Sequence, residues 1–450
     1  METPNTPAMP LPAGPKLSKR MLLAAGAGHA VEAFDFLIFS LFAVYLSHSF
    51  FPPGNDALAL INTTATFALS FFFRPLGGLL FGRLADRRGR RPALMGTVLL
   101  MSGSSLVMAL LPGYETIGWG APILLLIARC LQGIAAGGEV GNSFIYLYER
   151  APKGAKGRHS FVIYLATGTA VLVGSLLGFV ISTNVSADAM NQWGWRIPFI
   201  IGAVLGLVVL YLRRQLHETE EFTARSKAPA TKTAARGSVG RTLREHPKPI
   251  AQLFFFSGAA SLSFYAISNA LKIYIGDPHG PVRASSSDSF LALTVATIVY
   301  LALLYPFGAL ADKIGLKKQT IIALGIIAVS IVPLTLMLNK SLPNLILVLV
   351  LAHTGLAMLT AISPMMIAQL LPVELRGTGV GAFFNTANAL FGGTALFVLT
   401  LLSSQGLGWV FYAYVAVMCL VALTCVVGMR TAESSRSAPA EKALQAETVE

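Results

Sequence analysis

The chain runs to 450 residues, 54% of them hydrophobic and 12% charged, with a mean hydropathy of +0.66 and a formal net charge of +13. A water-soluble globular protein carries roughly 25% charged residues, so the composition excludes soluble enzymes and soluble binding modules and leaves a protein built into a membrane. The positive balance would implicate nucleic acid only if the charges gathered on a binding face, and they do not.

After a polar tail of residues 1–20, apolar runs long enough to cross a ~30 Å hydrocarbon core as helices recur at 21–46, 58–82, 93–112, 120–149, 160–183, 196–212, 250–275, 288–311, 319–338, 343–371, 378–402 and 408–429. The expected fold class is all-α, with twelve transmembrane helices. The first run is too long for the core of a cleavable leader and carries Glu32 and Asp35 in its middle, so it is read as the first helix. Cys130, Cys419 and Cys425 fall inside runs with no ligand spacing around them and read as packing residues, with no metal site.

With twelve spans, successive loops alternate sides, so the loops after even-numbered runs except the last, and both termini, share one side. That side holds 28 of the 34 basic residues, against Arg283 and Lys340 in the opposite loops. The positive-inside rule makes it cytoplasmic, and the basic excess a topology signal rather than a nucleic-acid footprint. The longest loop, 213–249, separates a first six-helix half, 21–212, from a second, 250–429, and residues 430–450 form a cytoplasmic tail.

GRLADRRGRR at 82–91 is echoed by GALADKIGLKK at 308–318, each directly after the second span of its half and 226 residues apart. A Gly ending one helix, an Asp four residues on and a basic turn describe a tight hairpin. Its acid, Asp86 or Asp312, can cap or pair with a neighbouring helix end, and its arginines anchor at the anionic leaflet. Gly82, Asp86, Gly89 and Arg90, with Asp312 and Gly315 in the second copy, are candidate gating residues. A duplicated six-helix unit with its site between the halves is the architecture of a secondary transporter.

The first hairpin resembles the motif between helices two and three of the major facilitator superfamily. FRPLGG (73–78), APILLLIARCLQGIAAGGE (121–139), WGWRIPF (193–199), LRRQLHETEEF (212–222), LLPVELRGTGVG (370–381), which contains Arg376, and NTANALFGG (385–393) resemble its metabolite:H⁺ symporter branch, the branch of the α-ketoglutarate, citrate, shikimate and proline/betaine permeases. The resemblance implies the major facilitator fold, a bacterial inner membrane, and alternating access by rocking halves. Leu316 stands where the second hairpin motif usually has a basic residue, and His29 where the family usually has Asn.

An ionisable side chain at membrane depth costs at least about 2.5 kcal/mol, so each is a functional candidate. His29, Glu32 and Asp35 lie within one 120° sector of the first helix, which suits one face presented to a cavity and an acid that exchanges a proton. The alternative is a structural pair with a basic residue elsewhere. Arg129 sits about 14 Å into the fourth span with Gln132 on the same face, a pairing suited to a carboxylate, or else locked to Glu32 or Asp35. The superfamily resemblance implies an Arg here that serves proton transfer or anion binding. Arg74 and Glu139 stand at equal depth and could pair. Lys272 either attracts an anion, as the Lys of ketoglutarate-type permeases implies, or snorkels to water. Asn385 and Asn388 can hydrogen-bond substrate or join helices, and His353 reads as an interior histidine.

No Walker loop, HExxH or nucleophile elbow occurs, so an enzyme is not expected, and no cofactor. The reading is a monomeric importer of a small organic acid of di- or tricarboxylate type, coupled to protons in the lipid bilayer. Alternatives are a symporter of a zwitterion or aromatic acid, an H⁺-coupled exporter, and a membrane receptor or enzyme. The Gly-Pro motif that drug antiporters carry in helix five is missing from 168–178. The residues alone do not choose the substrate, the proton stoichiometry or the direction of transport.

Overall fold

The computed structural model describes residues 19–88, 90–137, 144, 148, 151–152, 154–214, 247–277, 281–370 and 380–429. Ten of its helices are long and apolar enough to cross a membrane. A bent pair supplies a further span, and the shorter apolar helix Gly120–Ala136 occupies the fourth position.

In chain order, α1 comprises Lys19–Leu41 and Ala43–Phe50, bent by 63° at Phe42. α2 comprises Asp56–Phe72 and Arg74–Arg88. It breaks at Phe73 because Pro75 has no N–H to give the Phe71 carbonyl. α3 is Arg90–Leu110 and α4 is Gly120–Ala136. α5 is Val162–Asn184, preceded by the short turn Lys156–Ser160. α6 is Arg196–Arg214, led in by Ala187–Ala189 and a π-helical turn over Met190–Gly194. The apolar run therefore starts nine residues before the expected 196.

The second set begins with α7, Pro247–Tyr265 and Leu271–Gly276 joined by a π-helical turn at Ala266–Ala270. α8 is Ser286–Ile314, with the Ser285 hydroxyl accepting from the Asp288 N–H at 3.0 Å as its cap. α9 is Leu316–Leu336, and α10 is Leu342–Thr360 with Ser363–Gln369. α11 runs through Val380–Phe384, Asn385–Ala387, Asn388–Gly393 and Ala395–Ser403, two of these pieces being π-helical. α12 is Gly408–Val427.

The packing is repeated. α3 lies against α6 as α9 lies against α12, α1 against α5 as α7 against α11, and α2 against α4 as α8 against α10. Across the seam α5 meets α8 and α2 meets α11. Among the proposed divisions of the chain, the 213–249 loop lies almost wholly outside the described residues, as do the tails before 19 and after 429.

Small residues set the close contacts, as they must where lipid offers no hydrophobic driving force between helices. A Cβ at Gly77, Gly133 or Gly137 would come within 1.8 to 1.9 Å of the carbonyl oxygens of Ile134, Ser70 and Arg74, which clamps α2 to α4 backbone to backbone. Backbone cannot yield as a side-chain tip can. Gly133→Leu is therefore expected to force α2 and α4 apart and lower thermal stability by several degrees or abolish expression, and a melting curve of the purified variant matching wild type would contradict this packing.

Candidate functional site

Calling the end with the α2–α3 and α8–α9 turns the basic end, the two halves close on each other at the opposite end. The Ser40 hydroxyl of α1 donates to Asn269 of α7 at 2.7 Å, Thr64 of α2 bonds Thr400 of α11 at 2.8 Å, and Thr294 of α8 donates to Ser175 of α5 at 3.1 Å. Phe42 and Phe290 pack with centroids 5.3 Å apart. The bend in α1 feeds this seal. Tyr45 N–H turns to the Phe42 carbonyl, at 3.0 Å, instead of the Leu41 carbonyl four residues back. Lys272 Nζ takes the Leu41 carbonyl at 3.1 Å and lies 4.0 Å from the Phe290 ring centre. Lys272 is buried, so its ammonium does not snorkel to water. It sits in the seam, where seam geometry rather than depth decides its surroundings.

Inside the first half, Arg129 is wholly buried. Its guanidinium lies over Phe39 at 4.3 Å, Phe36 at 4.6 Å and Phe67 at 5.1 Å, a cation–π enclosure. Nη1 donates to the Phe36 carbonyl at 3.4 Å and to Gln132, Gln132 Nε2 donates to Ser105 at 2.6 Å, and the Ser105 hydroxyl donates to Asp35. This makes a directional relay, Arg129 to Gln132 to Ser105 to Asp35, spanning α4, α3 and α1. The second Asp35 oxygen has no partner, and Gly202 of α6 leaves room against the first, since a Cβ there would stand 2.6 Å from Oδ1.

The three polar residues of α1 do not present one face to one neighbour. His29 Nε2 meets Thr167 of α5 at 3.2 Å, whereas Asp35 meets α3. A 120° sector is wide enough to be split between two flanking helices. Glu32 lies between them in angle, part-buried and engaged.

Arg74 sits at the break in α2, its guanidinium 4.0 Å from Phe71 and 4.4 Å from Phe36. Tyr265 of α7 stands beside it across the seam, both side chains packing on the Phe71 ring. The proposed partner Glu139 lies outside the described residues, as do Gly89, Arg376 and the side chains of Asp86 and Arg90. Gly82 falls within the second segment of α2. Asn388 is buried in the π-helical part of α11, and Asn385 one turn earlier is engaged. His353 is buried in α10, its Nδ1 2.8 Å from the Leu349 carbonyl and its Nε2 unpartnered.

At the basic end, Asp312 of α8 accepts from the backbone N–H groups of Gly157 at 2.7 Å and Arg158 at 3.2 Å, and pairs with Arg158 Nε at 3.2 Å. A carboxylate from one half thus caps the start of a helix in the other, where the orphan N–H groups and the helix dipole favour it. Gly157 permits the approach, because a Cβ there would stand 2.1 Å from the Gly308 oxygen. Gly315, at φ +91°, makes the sharp turn from α8 to α9 that leaves Asp312 at the tip.

Sequence reasoning passed over Ser105, Tyr265 and Asn269. A lone serine among several in α3 carries no signal, but SFYAISNA at 263–270 is a polar break inside an apolar run and marks the seam.

Two helical sets packed alike, closing over a seam that holds buried charge, define the class as a secondary membrane transporter. Residues 21–254 match the model of the sugar (and other) transporters and residues 253–449 that of the major facilitator superfamily. The α-ketoglutarate permease of Escherichia coli (strain K12) is 38% identical over 403 residues, covering 89% of this chain and 91% of the permease. A putative proline/betaine transporter of Staphylococcus haemolyticus (strain JCSC1435) is 34% identical, covering 84% and 80%, and the citrate-proton symporter of Klebsiella pneumoniae 31%, covering 83% and 82%. The fold matches the partially occluded, inward-open xylose transporter XylE from E. coli with a TM-score of 0.71 at 17% identity, over 92% of this chain and 98% of that one. The chain belongs to the major facilitator superfamily and is a multi-pass membrane transporter, not an enzyme.

Proposed function

We propose that this transporter imports a small organic acid together with protons, by alternating access, across a bacterial inner membrane with both termini in the cytoplasm. The observation that carries the reading is the relay from Arg129 through Gln132 and Ser105 to Asp35. A buried carboxyl with one hydroxyl donor and one open oxygen can take up a proton without rearranging its neighbours. The guanidinium at the far end of the relay counterbalances it when the proton leaves.

The relatives, an α-ketoglutarate permease and a citrate-proton symporter, support an acid substrate and proton coupling. The relay alters the expected division of labour. Arg129, enclosed by three rings, and Gln132 serve the proton, with Asp35 as its carrier and Glu32 and His29 flanking it. Asn388, Asn385 and Lys272 lie at or beside the seam and serve substrate or closure. The basic-end cap by Asp312, and the first hairpin by analogy, serve as the inner gate. A zwitterion remains the second reading, favoured by the proline/betaine relatives.

The test is uptake into proteoliposomes. An inward proton gradient is expected to drive accumulation of 2-oxoglutarate or citrate and to fail when the gradient is collapsed. Gradient-driven uptake of proline or betaine with none of the acids would select the second reading, and uptake indifferent to the gradient would remove proton coupling.

A further inference from the structure

We infer that Arg74, together with Tyr265, forms the seat for a substrate carboxylate, bridging the two halves at the centre of the seam. The inference rests on the proposed acid transport and locates the site within it.

Arg129 is closed off by Phe36, Phe39 and Phe67, and it donates to the Phe36 carbonyl and to Gln132, both in its own half. Arg74 is placed differently. Phe36 and Phe71 hold its guanidinium from the first half, while the neighbouring Tyr265, packed on the same Phe71 ring, belongs to the second. Arg74 is 7% exposed and Tyr265 8%, and the Arg74 Nε is buried without a partner; the Nε and Nη2 of Arg129 are too, but behind three rings and away from the seam. An unpaired N–H of a buried guanidinium costs energy, which an incoming carboxylate would recover by bidentate pairing.

Helix irregularities converge here. The helix of α2 is interrupted at Phe73 just before Arg74, the π-helical turn 266–270 follows Tyr265 directly, and the π-helical segment Asn388–Gly393 of α11 packs on Asp56–Phe72 of α2 and on Pro247–Tyr265 of α7. A Cβ at Gly392 would stand 2.9 Å from the Tyr265 ring and 3.0 Å from Ser261, and one at Gly393 would stand 2.6 Å from Phe71. Gly392 keeps α11 against the Tyr265 ring and Gly393 against the Phe71 ring beneath Arg74. π-Helical turns of this kind recur at functional sites.

The donors so gathered are a guanidinium and a phenol, with the Asn388 side chain beside the Tyr265 ring, suited to one carboxylate and supplied by both halves. Rocking must separate Arg74 from Tyr265. A carboxylate bound by both therefore stabilises the closed arrangement over either open one, which links occupancy to the transport cycle.

The experiment measures binding of 2-oxoglutarate, citrate, proline and betaine to the purified full chain by calorimetry, for wild type, Arg74→Gln, Arg74→Lys and Tyr265→Phe. With the ligand that wild type binds, Arg74→Gln is expected to lose roughly ten- to hundredfold in affinity, Arg74→Lys less, and Tyr265→Phe severalfold. The same ligand as its methyl ester is expected to bind wild type and Arg74→Gln alike, because the charge that Arg74 reads is gone. Equal affinity of wild type and the variants for the acid would overturn the inference, as would an equal loss on acid and ester, which would mean Arg74 acts on the fold alone. Should Arg74→Gln fail to fold, Arg74→Lys and Tyr265→Phe decide by the same comparison. A wild type that binds none of the four ligands overturns the acid-transport reading and the inference with it, whereas binding that the substitutions leave untouched overturns the inference alone.

Discussion

Asp35→Asn is expected to abolish accumulation of substrate against its gradient while leaving substrate exchange measurable. Asparagine keeps the shape of the side chain and an oxygen to accept from Ser105, so the packing among α1, α3 and α6 is retained and only the exchangeable proton is lost. Exchange returns the protein to the same side without releasing the proton, so it survives the loss. Net uphill transport requires that release, so it does not. The relay predicts a graded series. Ser105→Ala removes the donor to Asp35 and leaves Gln132 without its acceptor, slowing gradient-driven uptake by about the tenfold that one neutral hydrogen bond permits, without abolishing it. The measurement is gradient-driven uptake and counterflow in the same proteoliposome preparation. If Asp35→Asn still accumulates substrate, the carrier is another acid, and Glu32→Gln tested in the same way is then the variant expected to fail.

Much of the scaffold was legible because a span needs only length and apolarity, and both are properties of the sequence itself. What was harder to read follows from three-dimensional placement. The bend at Phe42 has neither Gly nor Pro to announce it, and the Lys272 contact with the Leu41 carbonyl exists only because that bend releases the carbonyl. Depth along a helix placed Lys272 near an end and suggested water, but not which side of the helix meets the other half. Arg129 and Gln132 were legible as a pair by their spacing, three residues apart on one face. Their purpose was not, since three phenylalanines from two other helices close over the guanidinium. The repeated Asp of the hairpins was the most informative local signal. A carboxylate at a helix tip seeks unsatisfied N–H groups, and Asp312 finds them at the start of the helix across the seam.

Asp312→Ala is expected to unlatch the basic end. The carboxylate is nearly buried, at 6% side-chain exposure, and holds two backbone N–H groups and the Arg158 side chain, which is half-exposed. The cap contributes about 1–2 kcal/mol, and the pair with a half-exposed arginine adds no more than about 1 kcal/mol. A loss of about 2–3 kcal/mol, the upper part of that range, shifts the balance between closed and open by roughly thirty- to a hundred-and-fiftyfold. All three contacts cross between the halves, so the loss falls on the gate and not on the packing within either half. A reporter follows from the same geometry. Ala311 of α8 is 2% exposed and faces Gly157, so Ala311→Cys, with Cys130, Cys419 and Cys425 replaced by alanine, is shielded while the latch holds. Its labelling by a thiol reagent is expected to quicken by at least tenfold in the Asp312→Ala background. Asp312→Asn, which keeps one acceptor and loses the charge, should fall between. Substrate affinity should change little, because the latch lies at the end of the bundle and the seam centre is untouched. Unchanged labelling in Asp312→Ala would show that the basic end is held closed by other contacts, the packing of Phe144 on Phe384 at 5.2 Å being the next to test.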